Sequence, residues 1–268
     1  MLPPLVDTHC HLTHGRFAAD LPEMLARARE AGLGRVITIA TGLADGVAAK
    51  RIADGDPGFI SWTIGLDPFS CHAAGAGFAA ELGQLREVLA AGTAAPGGPC
   101  GVGEIGLEYH HVLNPHPLQI EQFGAQLDLA AEFSLPVIIH CRDAHQDMLA
   151  VLAAHPRNRG VIHSFIGDAA TARRYLDLGW HLSFNGTATF KANEFLRQAA
   201  AITPADRILI ETDAPYLAPM PLRGKRCESA QIVHTLDLLA EVRGQRREDL
   251  AAWTTRNAVE LFHLPALW

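Results

Sequence analysis

Between residues 101 and 164 the chain reads Gly101-Val-Gly-Glu-Ile105, then Val137-Ile-Ile-His140, then Val161-Ile-His-Ser164. Each is a short apolar run with a carboxylate or an imidazole near its C-terminal end, and a longer stretch separates it from the next. Five further runs of this kind are Leu5 to Asp7, Arg35 to Ala40, Phe59 to Gly65, His181 to Phe184 and Ile208 to Asp213. The eight starts are on average about 29 residues apart, the length of a strand plus a crossover helix, which makes consecutive strands parallel. Between the runs, Leu21 to Ala31, Phe78 to Leu89 and Ile120 to Phe133 place apolar residues three and four apart, as amphipathic helices do. The reading is an α/β protein, a (β/α)8 TIM barrel spanning residues 1–268 as one domain. Glu228 to Phe262 supplies the last helix and an additional C-terminal helix. An open doubly wound sheet is the competing arrangement. Ala90 to Pro99 reads as a loop into the fourth strand.

Composition narrows the function. The chain has 268 residues, with 22 Lys and Arg against 29 Asp and Glu, a formal charge of −7, so no global positive field draws it to nucleic acid or an anionic membrane. Cys10, Cys71, Cys100, Cys141 and Cys227 are scattered and odd in number, against a disulfide framework and for a reducing, cytoplasmic location. No leader-like segment or membrane-length apolar run is expected, and no protein partner is inferred. Gly101-Val-Gly-Glu-Ile-Gly106 matches Gly-x-Gly-x-x-Gly but opens no helix, which argues against a dinucleotide site.

The strand ends carry the chemistry. His9-Cys-His11 follows the first strand, and residues two apart in extended backbone face the same side. With 14 histidines such a triplet arises by chance roughly 0.7 times per chain, so position decides. Glu104, His140, His163 and Asp213 close strands 4, 5, 6 and 8, and a barrel gathers those ends in one mouth. Alone, each is more simply a core histidine or a helix cap. Five of eight apolar strands ending in ligand-type residues is poorly explained by packing, because burying unpaired charge is costly. Six such donors exceed one tetrahedral ion and suit two divalent ions sharing a bridging carboxylate. Nitrogen and oxygen donors without thiolate fit zinc, manganese, iron or nickel, with magnesium less natural.

As an ordered set, Asp7-Thr-His-Cys-His-Leu12, Gly103-Glu-Ile-Gly-Leu-Glu-Tyr109, Pro136-Val-Ile-Ile-His-Cys-Arg-Asp-Ala144, His163-Ser-Phe165 and Glu211-Thr-Asp-Ala-Pro-Tyr-Leu217 cover almost the whole chain. The set resembles the TatD-type metal-dependent deoxyribonucleases among the amidohydrolase-like barrels. The resemblance implies His9, His11 and Asp213 at a first metal, His140 and His163 at a second, and Glu104 between them. It also implies metal-dependent DNA cleavage, including 3′ to 5′ exonuclease activity, with some members linked to repair or to removing D-amino acids from tRNA. The chain departs from the family where Gly65-Leu-Asp67-Pro68 replaces Gly-Val-His-Pro, where His163-Ser164-Phe165 replaces His-Cys-Phe, and where Arg223-Gly-Lys-Arg-Cys-Glu-Ser229 loses an Asn and a Pro.

The expected reaction is in-line attack of an activated water on a phosphodiester, with Glu104 and Asp213 as catalytic carboxylates and Asp213 relaying the proton. Arg223 and Lys225, after strand 8, are expected to contact the DNA backbone. Arg142 is expected to face the mouth unless it pairs with Asp143, and Tyr109 to stack on a base or sugar. Asp67 is a candidate substrate contact that cannot donate to phosphate unless protonated, with His72 as a substitute. Glu211 is expected to orient a ligand from behind. The acidic chain favours a single strand or an end as substrate. The alternative function is a metal-dependent ester or amide hydrolase, such as a D-aminoacyl-tRNA deacylase; a scaffold that has lost activity is disfavoured by the six retained donors.

Overall fold

The structure, a computed structural model, describes residues 3–93 and 97–267. Eight parallel strands run in chain order: β1 (Leu5–Cys10), β2 (Leu33–Thr38), β3 (Ile60–Trp62), β4 (Val102–Glu108), β5 (Val137–Arg142), β6 (Gly160–Ile162), β7 (His181–Phe184) and β8 (Ile208–Ile210). β1 to β3 form one ladder and β4 to β8 another. Two seams join them. Across one, the Gly103 N–H donates to Ile64 O at 3.0 Å and Ile64 bridges Val102; across the other, the Asp213 N–H donates to His9 O at 2.8 Å and Cys10 bridges Ala214. Among the described residues the sheet therefore closes into the expected barrel.

Helices α1 (Leu21–Glu30), α2 (Leu43–Gly55), α3 (Pro68–Ala74), α4 (Phe78–Thr93), α5 (His116–Glu132), α6 (His145–Ala154), α7 (Ala169–Asp177) and α8 (Glu194–Ile202) connect the strands, and α9 (Ile232–Val242) and α10 (Arg247–Leu261) follow β8. α1 shows the local logic. Pro22 opens its first turn, and Met24, Leu25 and Ala28 make a buried stripe at helical spacing. Arg243 donates to Ala200 O and Thr203 O, carbonyls at the end of α8.

Inside the barrel, Val6, Ile37, Ile39, Ile138, Val161 and Leu209 form one cluster, closed by Ala258, Leu261, Phe262 and Leu264 at the end of the chain. Side chains alternate along a strand, so two residues beyond Ile138, Val161 and Leu209 the same inward side carries His140, His163 and Glu211. The apolar floor and the polar mouth are thus parts of one alternation. A cleft of about 460 Å³ lies elsewhere, between Arg35, Trp62 and the C-terminal segment, and none of the mouth residues lines it.

Most strand boundaries shift by a few residues from the sequence reading; β6 and β8 stop at Ile162 and Ile210, short of His163 and Asp213, and β5 continues past His140 to Arg142. β1 runs to Cys10, so His9 lies within the strand, because Cys10 still pairs with Thr38. β4 runs to Glu108, which places Glu104 mid-strand; pairing with β5 continues from Ile105 through Glu108. α4 extends to Thr93, so the stretch starting at Ala90 is helical at first, and residues 94–96 lie outside the described residues. The glycines of the Gly-x-Gly-x-x-Gly pattern serve this close pairing: a Cβ on Gly103 would meet Ile138 O at 2.8 Å, and Gly106, at φ +153°, abuts the His140 backbone.

Candidate metal centre

Glu104 stands in the middle of the mouth, buried, and its two oxygens face different partners. Oε2 lies 3.5 Å from His9 Nε2 and 4.0 Å from His11 Nε2; Oε1 lies 2.8 Å from His140 Nδ1 and 2.9 Å from His163 Nε2. Asp213 Oδ1 completes the first group, 3.4 Å from His11 Nε2 and 3.7 Å from His9 Nε2. The donor atoms of His9, His11 and Asp213 all lie within 4.8 Å of one another, as do those of His9, Glu104 and His163. The six residues singled out from sequence meet in one place. His140 reaches the cluster through Glu104.

Each donor is aimed by the fold. The His11 N–H donates to Ala214 O at 2.8 Å across the β1–β8 seam, and His11 Nδ1 lies 3.1 Å from Ile39 O, so Nδ1 carries the proton and Nε2 faces the mouth. Asp213 sits at φ +59°, a left-handed conformation that aspartate tolerates, one residue beyond Thr212. Thr212 is itself fixed by the buried Asp7, which accepts from both its N–H (2.9 Å) and its hydroxyl (2.6 Å). The His9 and His163 rings stack with centroids 3.9 Å apart.

Glu108 was quoted in the sequence motif but given no role. It is buried, and it accepts from the N–H groups of His110 (2.7 Å) and His111 (3.0 Å) while Oε2 lies 3.1 Å from His140 Nε2. One face of His140 thus addresses Glu104 and the other is held by Glu108. Its signal in the sequence was a second carboxylate four residues after Glu104, legible only once β4 is known to continue that far. Glu211, as expected, stands behind a donor: it accepts from the Ser164 N–H at 2.6 Å and lies 3.4 Å from His163 Nδ1.

The electrostatics follow from this crowding. Burial disfavours the charge on Glu104, but the surrounding His163, His140 and His9 more than offset it and hold the carboxyl well below its usual range. Burial likewise opposes charge on His11 and His140, yet Asp213 pushes the first up to about 9, and Glu104 with Glu108 pushes the second up to about 9. His9 moves down, through burial and the neighbouring His163. A group of four imidazoles and two carboxylates, with no thiolate among the donors, fits divalent cations of the nitrogen- and oxygen-binding kind.

A prediction follows for the metal-free protein. His11 and His140 have raised pKa values, so their ion pairs contribute stability that is full below pH 6.5 and fades as pH rises through about 9. A metal must displace those protons. Calorimetric titration at pH 7 in two buffers of different ionisation enthalpy is expected to show release of about three protons per chain, from His11, His140 and His163, shrinking as pH passes 9. Proton uptake would contradict the assignment.

The substrate-side residues are spread more widely. Arg142 is exposed, and the bridge to Asp143 is not formed, because Asp143 Oδ2 lies 3.1 Å from His110 Nδ1. Arg223 and Lys225 are exposed, and the Arg223 guanidinium sits 4.4 Å over the Phe190 ring. Neighbouring Arg226 is committed to Asp20 and Glu228. Tyr109 donates to Asp147 at 2.8 Å and stacks on His116 at 3.5 Å. His72 Nδ1 lies 3.0 Å from Asn114 Oδ1. Asp67 begins α3: Oδ1 accepts the Ser70 N–H at 2.7 Å, and burial, then the charge of Glu104, raises its pKa to about 6. Asp67→Ala is expected to cost about 0.5–2 kcal/mol in denaturant unfolding while bound metal is unchanged; loss of metal would show that Asp67 belongs to the centre. Tyr216, not singled out from sequence, is exposed beside His11, with ring centroids 6.1 Å apart.

Residues 6–263 match the family model for TatD related DNase. The chain is 35% identical over 267 residues to the "uncharacterized metal-dependent hydrolase YcfH" of Escherichia coli (strain K12), covering 98% of this chain and 97% of that protein. It is 34% identical over 270 residues to the "3'-5' ssDNA/RNA exonuclease TatD" of Pantoea vagans (strain C9-1), covering 97% and 100%. Among solved structures, YJJV, a TatD homologue from Escherichia coli K12, superposes with a TM-score of 0.91 at 29% identity, covering 99% of this chain and all of that one.

Proposed function

The chain belongs to the TatD related DNase family and is a metal-dependent hydrolase, and we propose that it removes nucleotides from the 3′ ends of single-stranded DNA, using two divalent ions held in the barrel mouth. The observation that carries the two-ion reading is the division of Glu104, with one oxygen toward His9 and His11 and the other toward His140 and His163. Support for nucleic acid as substrate comes from the exonuclease name of the Pantoea relative. Zinc and manganese suit the donors best, with magnesium the weaker candidate.

Bound there, the ions supply Lewis acidity toward a phosphodiester and make a water acidic enough to attack it. The chain's own residues do the rest. His9, His11 and Asp213 hold one side of the centre, His140 and His163 the other, and Glu104 spans both. Asp213 keeps its carboxyl ionised: burial opposes this, but the bond from His11 and the nearby imidazoles outweigh it, so the carboxylate is ready to accept a proton from the attacking water. Glu108 fixes the His140 ring. Arg223, Lys225 and Arg142, all exposed, offer local positive charge to backbone phosphates in a chain whose net charge is −7.

Among the described residues no helix is long and apolar enough to cross a membrane. All five cysteines are free, which supports a reducing compartment such as the cytoplasm. The reading of residues 1–268 as one hydrolase domain accompanies this assignment.

The test is a digestion ladder on 3′- and 5′-labelled oligonucleotides, single- and double-stranded, with zinc, manganese or magnesium added, and a D-aminoacyl-tRNA control. Stepwise loss from the 3′ end of single strands is the expected result. Intact oligonucleotides with deacylated tRNA would move the assignment to ester hydrolysis.

A further inference from the structure

The wall of the mouth beside His11 carries an aromatic residue that nothing above accounts for. Tyr216 is 46% exposed, and its ring meets His11 and His14 in T-shaped contacts with centroids 6.1 and 5.5 Å away. It does not hang on a loose loop. Its N–H donates to Asp213 O at 2.9 Å, Pro215 O accepts from Arg16 at 3.1 Å and from the Cys227 N–H at 3.2 Å, and the Met220 N–H donates to Thr189 Oγ1 at 2.8 Å. Exposed Leu217 and Met220 extend the same wall. Tyr109, the residue that sequence suggested for stacking, is occupied by Asp147 and His116.

We propose that Tyr216 is the stacking platform for the nucleobase next to the phosphate under attack, and that it makes the protein select unpaired ends. The inference rests on the nuclease reading above and deepens it. Tyr216 follows Asp213 by three residues, so a nucleotide with its phosphate at the metal centre has its base within reach of this wall. A base inside a duplex has both faces covered, and a terminal paired base is held in the helix by its partner strand, whereas an unpaired base is free to swing a face onto an aromatic ring. Stacking tolerates any base, because each has a π-face, so the selection is for strandedness and not for sequence. The ring is already positioned, so little ordering opposes binding.

The experiment compares kcat/KM on single-stranded oligonucleotides with ordinary 3′ ends and with abasic last three positions, for wild type, Tyr216→Ala and Tyr216→Trp, with metal content measured on each to verify the centre. Wild type is expected to prefer the base-bearing end about 5- to 150-fold, Tyr216→Ala to bring that ratio close to one mainly through KM, and Tyr216→Trp to restore it. A ratio unchanged in Tyr216→Ala overturns the platform while leaving the nuclease reading intact. Wild type that cleaves neither oligonucleotide overturns both.

Discussion

Glu104→Gln is expected to lower hydrolysis by about 10³-fold or more and to strip both ions from the mouth. Glutamine keeps the shape of the side chain but removes the charge, and the side chain then offers one acceptor oxygen and an amide that donates. Wild-type Glu104 places one oxygen 2.8 and 2.9 Å from His140 and His163 and the other 3.5 and 4.0 Å from His9 and His11. An amide NH2 turned toward either pair would meet the imidazole lone pairs a metal needs only as a competitor. The metal-free protein also loses the charge that holds His163 protonated in a buried site. Metal analysis after dialysis, next to turnover of a labelled oligonucleotide, checks the prediction; retention of two ions per chain would show that the bridging role lies elsewhere.

Asp213→Asn is expected to behave differently, losing about 10²- to 10⁴-fold in turnover but only one of the two ions. Asp213 serves His9 and His11, at 3.7 and 3.4 Å, and no ion pair connects it with His140 or His163. The half of the centre made by Glu104, His140 and His163 remains. The fall in rate comes from losing the proton acceptor as well as the ion. Metal stoichiometry separates the two variants, and equal loss of both ions in each would mean that the donors form one undivided site.

Much of this centre was legible before any coordinates, because a barrel imposes geometry on sequence. An apolar run of alternating orientation leads to His140, to His163 or to Asp213, and a barrel gathers those strand ends in one mouth. What the sequence hid depends on partners distant along the chain. Glu108 gains its role from His140, 32 residues away, and from β4 running past Ile105. Asp67 reads as a substituted substrate contact, yet its carboxylate caps α3. Tyr109 and Tyr216 both follow strands, and the bond to Asp147 with the stack on His116 distinguishes the committed ring from the exposed one. Several histidines that composition left unexplained have local work: His14 caps a short turn by accepting the Arg16 N–H, and His145 lies 2.9 Å from the Tyr175 hydroxyl.

The proposed centre holds two divalent ions, one on either side of the Glu104 carboxylate. Anomalous diffraction from crystals of the manganese- or zinc-loaded protein tests it directly. Two peaks are expected in the mouth, one beside His9, His11 and Asp213 and the other beside His140 and His163, with Glu104 touching both. A single peak, or ions bound away from Glu104, would contradict it.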